Sequence, residues 1–237
     1  GTTFDIGLKL HTKRSKHRGD GEAWRRHLTG SLLRRQPGER EPDALRLMER
    51  EPKLGLIAPD NHFLPLASRQ IFNKRAIRRV SEAIDLPVTH DELEREDFAA
   101  GSMFWFRRSA LEAFAKSELD PLFEQEKAQL DGTSAHAAER LFAVAAERAG
   151  TLATATETLP ALRAALKDRP HATLGELRQV SRLALRPTEN PFILPVPEIV
   201  RKYPYLMLLA HYVYNWLPRP VFRLGRWGFR RFVIRGR

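Results

Sequence analysis

The chain has 237 residues, 42% hydrophobic and 29% charged, enough to bury one large domain or a domain with an appendage and too apolar for a disordered segment. The 40 Lys and Arg residues against 29 Asp and Glu give a formal charge of +11, which calls for an anionic partner: nucleic acid, membrane headgroups or a phosphorylated small molecule. With no cysteine there is no disulfide framework and no thiolate metal site, a composition that suits a reducing compartment, and nothing in the opening residues reads as a secretory leader.

In chain order, Phe4 to Leu10 reads as a buried strand that runs directly into His11, Thr12, Lys13, Arg14 and Ser15. Asp20 is placed to cap a helix that carries Trp24, Leu28, Leu32 and Leu33 at helical spacing. "EPDALRLMEREP" predicts a second short helix, and "KLGLIAP" a buried strand of Leu54, Leu56, Ile57 and Ala58 stopped by Pro59. A polar loop, "PDNHFLPLASR", and a basic helix, "NKRAIRRVSEAI", follow. An apolar strand is predicted from Gly101 to Phe106, leading into a helix from Ser109. Asp131 is placed to cap a long helix with Ala135, Ala138, Leu141, Phe142 and Ala145 on one apolar face, ended by Gly150.

From Thr151 the character changes. Two short amphipathic helices, "LPALRAALKD" and "TLGELRQVSRLAL", precede a proline-broken linker, "RPTENPFILPVPE". The apolar stretch from Tyr205 to Leu217 falls short of the roughly 20 residues that span a bilayer. Strands alternating with helices predict an α/β fold.

Three stretches carry chemistry. In α/β folds with helices on both faces, ligands sit beyond the carboxyl ends of strands. A strand ending in "HTKRSKH" puts His11, Lys13 and Ser15 at such a rim, with donors suited to phosphate oxygens; the same composition also fits a basic surface loop. In "GSMFWFR", Gly101 and Ser102 are small enough to let a ligand approach the backbone and Trp105 is a candidate for its wall, while Met103 and Phe106 belong in the core. In "DGTSAHAAER", His136 follows Asp131 by a helical turn and Glu139 and Arg140 come one turn later. Asp131 reads either as an ordinary N-cap or as a carboxylate kept ionised by the helix terminus and able to take a proton from a hydroxyl. Glu139 and Arg140 fit a solvated face equally well. The eight histidines are scattered without metal-ligand spacing, and there is no Gly-x-Gly-x-x-Gly, P-loop or Gly-x-Ser-x-Gly motif, which argues against a self-contained dinucleotide fold, a nucleotide triphosphatase or an esterase.

Taken together, "LKLHTKRSKHRGDGEAWRRHLTGSLL", "AAGSMFWFRRSALEAF" and "QLDGTSAHAAERLF", in this order and at this separation, resemble the rhamnan synthesis protein F family of bacterial polysaccharide glycosyltransferases. The similarity covers Phe4 to Gly150. It implies an α/β fold for residues 1–150, a partial GT-A-like, Rossmann-related glycosyltransferase domain; the residues beyond it, which the resemblance does not cover, read by their own pattern as a helical extension over 151–186 and a proline-rich linker with a basic amphipathic tail over 187–237. It also implies transfer of a sugar such as rhamnose from a nucleotide sugar, dTDP-rhamnose, to a glycan or lipid-linked glycan acceptor in synthesis of lipopolysaccharide-type surface polymers. In that picture Asp131 is the base, while His11, Lys13 and Ser15 hold the donor phosphates where many such enzymes carry an Asp-x-Asp metal motif, so the need for a divalent metal stays open. Trp24, Gly101, Ser102, Trp105, His136, Glu139 and Arg140 would line the acceptor or substrate wall. The family places its nucleotide-binding half before the His-Thr-Lys strand; almost nothing precedes Phe4 here, and the expectation is a chain lacking much of its donor site.

Residues 204–237 pair an apolar aromatic stretch with seven arginines and no acid. They are expected either to pack back on the domain or to hold it peripherally at the anionic inner face of the bacterial cytoplasmic membrane. The competing view of the whole chain is a non-enzymatic basic module that binds nucleic acid or anionic membrane. The lack of any nucleic-acid motif and the acidic run from Glu92 to Asp97 weigh against nucleic acid as a partner.

Overall fold

The computed structural model describes residues 4–11, 19–67, 69–116, 118–124, 132–185, 190–193 and 195–216. Strand β1 (Ile6–Lys9) leads to helices α1 (Gly21–Leu32) and α2 (Asp43–Arg50), and then to β2 (Leu54–Ala58) and β3 (Phe63–Pro65). Helices α3 (Lys74–Ala83) and α4 (His90–Leu93) precede β4 (Asp97–Ala99) and β5 (Phe104–Arg107). The chain continues through α5 (Glu112–Lys116), α6 (Ser134–Arg148), β6 (Leu152–Ala155), α7 (Leu159–Asp168), α8 (Leu174–Ala184), α9 (Glu198–Lys202) and α10 (Pro204–Trp216).

Four strands form one sheet in the order β1-β5-β2-β6. Strand β5 is antiparallel to both its neighbours and β2 is parallel to β6, so β1, β2 and β6 all end at one rim, where β5 begins. The α/β expectation therefore holds as a mixed sheet flanked by helices; the described strands do not form the mainly parallel sheet of a Rossmann half. One face is covered by α1, α2, α7 and α8, whose Leu28, Leu32, Leu47, Met48, Leu162 and Leu177 pack on Leu54, Ile57, Trp105 and Leu152. The other face is covered by α6, whose Ala143, Ala145 and Ala146 meet Leu56, Phe104 and Ala153. The far side of α6, through Ala137, Leu141 and Val144, packs on Ala76, Ile77 and Val80 of α3 and on Phe98. In α3 those three apolar residues recur at helical spacing while Arg75, Arg78 and Arg79 stay exposed.

Several expectations shift. Strand β6 lies just past residue 150, where the sequence suggested a boundary and then only helices; its "LATA" run is buried throughout but holds no large apolar side chain except Leu152. The sheet therefore draws on residues from both sides of that boundary. Strand β5 starts at Phe104, because Gly101 and Ser102 form the turn before it. The helix expected from Ser109 opens as a 3-10 turn over Arg108–Leu111. The polar loop after β2 contains β3, which pairs with β4 in a separate two-stranded sheet. Asp20 makes no side-chain cap bond to α1. For α6 the N-cap is Thr133, whose side chain accepts the His136 backbone N–H; the capping role expected of Asp131 thus passes to Thr133, and Asp131 itself lies outside the described residues.

Gly55 sets the tightest contact of the sheet. The register between β2 and β6 shifts at Leu54 to Leu56, and a Cβ on Gly55 would stand 1.9 Å from Thr151 Oγ1 and 3.1 Å from Ala110 Cβ. Thr151 cannot swing away freely, because its hydroxyl donates to the Ala146 carbonyl at 2.6 Å. Gly55→Ala is accordingly expected to lower unfolding stability by about 1–3 kcal/mol, the usual cost of overpacking a core, read as a lower urea midpoint with an unchanged slope.

Candidate functional site

The rim where β1, β2 and β6 end gathers four connecting segments. At its β1 side, Gly101 and Ser102 turn the chain into β5 with φ of 88° and 52°, left-handed conformations that glycine adopts freely and serine rarely. The turn presents its polar backbone groups to three side chains. Lys9 Nζ donates to the Ser102 carbonyl at 3.0 Å, and His11 Nε2 lies 2.7 Å from the Gly101 carbonyl; since a carbonyl only accepts, His11 holds its proton on Nε2. From α6, Glu139 Oε1 accepts the Gly101 N–H at 2.6 Å, while Oε2 accepts from Arg140 Nη1 at 2.5 Å. The Arg140 guanidinium in turn lies 4.7 Å from the centre of the Phe98 ring, within cation–π range.

This corner concentrates positive charge where water is thinned. The Lys9 ammonium sits 6.0 Å and 5.9 Å from the Phe104 and Phe142 ring centres. Burial pushes it below the ordinary lysine value, and the Glu139 carboxylate pulls it partly back. Arg69 is lowered too, first by burial and then by the neighbouring charge of Arg140. Cations gathered in a half-buried place repel one another, and an arriving anion relieves that repulsion.

The turn also touches Trp24 of α1: a Cβ on Gly101 would lie 3.5 Å from Trp24 Cζ2. The Trp24 indole N–H donates to His62 Nε2 at 2.7 Å, and His62 Nδ1 donates to the Asp60 carbonyl at 2.8 Å. His62 is fully buried, and with Nδ1 donating and Nε2 accepting it is the neutral tautomer. Trp24 and His62 are nearly stacked at 24° between ring planes, and His27 bridges His62 to Phe192 with centre distances of 5.3 Å on each side. Beyond this aromatic row, Asp60 accepts from Thr156 and pairs with Arg34. Glu157, at the end of β6, accepts the Asn61 N–H at 3.0 Å, and burial pushes its carboxyl above the ordinary glutamate value despite that bond.

The structure thus brings His11, Trp24, Gly101, Ser102, Glu139 and Arg140 to one place. Trp105 is elsewhere: it is buried against α1 and α2, and its indole N–H donates to the Leu32 carbonyl at 2.9 Å, because alternation along β5 turns Trp105 to the sheet face opposite Phe104. It is a core residue and not part of a ligand wall. His136 stands a turn before Glu139, with Nδ1 2.7 Å from the Thr133 hydroxyl, so its ring is engaged in the helix cap. Lys13, Ser15 and Asp131 lie outside the described residues. Sequence reasoning missed Lys9, Arg69, Asp60, His62 and Glu157. The strand-end rule applied to β1 also holds for β2 and would have pointed to Asp60 and His62; Arg69 and Glu157 carry no local signal. Among the described residues, no three His, Asp or Glu side chains converge in a way that could hold a metal ion.

The family model described as rhamnan synthesis protein F matches residues 1–150. Two proteins from two strains of Xanthomonas campestris pv. campestris, each named uncharacterized protein WxcX, are 39% identical to the chain over 154 residues, which is 63% of this chain and 21% of the relative. The chain thus spans about a fifth of the length of these curated relatives. No solved structure matches the chain at a significant level. The family match takes in the whole cationic corner, from Lys9 and His11 through Trp24, Arg69 and the Gly101 turn to Glu139 and Arg140, and the chain belongs to the rhamnan synthesis protein F family.

Proposed function

We propose that the chain is part of a glycosyltransferase that moves a sugar, rhamnose in our reading, from a nucleoside diphosphate donor to a glycan acceptor in bacterial surface polysaccharide synthesis. The observation that carries this reading is the cationic corner around the Gly101–Ser102 turn, together with the family to which the chain belongs. When the sugar's anomeric carbon leaves the diphosphate, negative charge builds on the departing phosphate oxygen. A fixed, partly dry cation facing that oxygen stabilises the transition state more than the ground state. An ammonium has three N–H donors, and the Ser102 carbonyl takes one from Lys9. Arg69 and Arg140 supply further charge, while Glu139 holds the turn and Arg140 in place through its two oxygens.

On the acceptor side, a hydroxyl attacks the anomeric carbon and its proton passes to a carboxylate. Asp131 holds that role in our reading: it precedes α6 by three residues and matches the family's acidic position. The Trp24 indole, beside the Gly101 turn, offers an apolar face on which a sugar ring can stack.

Two outcomes test this. With the full chain, calorimetric titration with dTDP-rhamnose should give saturable binding that Lys9→Met weakens by about tenfold or more, as expected for loss of a charge-assisted hydrogen bond; binding that ignores the substitution, or none to the wild type, would remove the corner from donor recognition. In a rhamnosyl-transfer assay, Asp131→Asn should lower kcat by about 100-fold or more at unchanged melting temperature and unchanged donor affinity. Full turnover in that variant assigns the base elsewhere.

A further inference from the structure

Helix α10, "PYLMLLAHYVYNW", contains no Lys, Arg, Asp or Glu, and none of its residues 204–213 joins a hydrophobic core cluster among the described residues. Its residues 205, 206, 209, 210 and 213 are exposed, and at 3.6 residues per turn they share an arc of about 140°. Tyr205, Leu206, Leu209 and Val213 are 73%, 60%, 60% and 53% exposed, an unbroken apolar stripe of a kind that water-facing helices do not carry. The opposite side is held to the domain by polar and aromatic contacts: the His211 ring centre lies 4.7 Å from that of Phe72 at 33° between planes, and the Arg75 guanidinium lies 5.0 Å from the Tyr212 ring centre. The helix is therefore fixed to the body with its apolar stripe turned outward. Just before it in the chain, Ile199 of α9 and Tyr203 are exposed too, as are the neighbouring Arg201 and Lys202.

We infer that the outward stripe of α10 lies in the headgroup region of an anionic bilayer, parallel to its surface, and anchors the domain there. Charge complementarity selects this occupant. Residues 217–237, which follow α10 directly, hold Arg219, Arg223, Arg226, Arg230, Arg231, Arg235 and Arg237 with no Asp or Glu, interleaved with Phe222, Trp227, Phe229 and Phe232. An apolar face continued by a wholly cationic aromatic segment matches a surface that offers acyl chains next to anionic headgroups. Helix α10 lies along a membrane instead of crossing it: no helix among the described residues is long and apolar enough to span one. This inference rests on the exposed α10 face and the composition of the segment after it, and stands apart from the glycosyltransfer reading.

Co-sedimentation of the full chain with phosphatidylcholine vesicles, with and without phosphatidylglycerol, tests it. Binding is expected to the phosphatidylglycerol vesicles only, to weaken with salt, and to fall by about tenfold or more in the Leu206→Glu, Leu209→Glu double variant at unchanged melting temperature. Val213→Glu, on the same face, gives an independent reading should the double variant lose its fold. Three results would overturn the inference: no pelleting with phosphatidylglycerol vesicles, equal pelleting with both vesicle types, or undiminished binding by folded stripe variants, which would assign the contact to the arginine segment alone. A dimer in light scattering that the stripe variants dissociate, without change in vesicle binding, would assign the stripe to a second copy.

Discussion

The fold turns on how closely one helix can approach its neighbours. Helix α6 lies between the main sheet and a second layer made of α3 and the β3–β4 pair, and six of its fifteen residues are alanine. Alanine adds no side-chain entropy cost on burial and keeps the helix backbone near both layers. Larger residues are used where there is room: Leu141 and Val144 fill the side toward α3, and Phe142 meets Phe104 and Phe114 with ring centres 5.1 Å and 4.7 Å away. This close approach also lets a short acidic side chain, Glu139, reach the turn before β5.

The polarity of the sheet then decides what meets at the rim. Three strands run one way and β5 runs against them, so the ends of β1, β2 and β6 stand beside the start of β5. Had β5 been parallel, its turn would lie at the far edge of the sheet, away from Lys9 and His11. The left-handed Gly101–Ser102 pair leaves two carbonyls for those side chains and one N–H for Glu139. Such backbone strain is tolerated where the surroundings over-determine it, and functional sites are where it gathers.

Two side chains at this rim are held by different means. His62 is buried with one ring nitrogen donating and the other accepting, which fixes it neutral and makes it a strut between α1 and the β2 loop. Lys9 is partly buried with a carboxylate nearby, which leaves a cation with little water around it. A hydrogen-bonded strut beside a half-buried cation gives this rim a fixed frame and a local positive charge.

The sequence by itself determined the elements whose signal is local. Apolar periodicity marked α1, α2, α3, α6, α7 and α8, and apolar runs marked β1, β2 and β5, because each of these segments must cover one face whatever surrounds it; β1, expected to be buried from Phe4 to Leu10, spans only Ile6–Lys9 and is half-buried because it is the edge strand. The resemblance carried by three short blocks determined the family. Strand β6 escaped because Ala and Thr make a strand only when a pocket of matching size is offered to them, and β2 with α6 offers it. The order of the strands, the reversal of β5 and the meeting of Lys9, Arg69, Gly101, Glu139 and Arg140 were decided by tertiary structure alone. Those residues are separated by up to 131 positions in the chain, and only long-range packing brings their charges close enough to perturb one another.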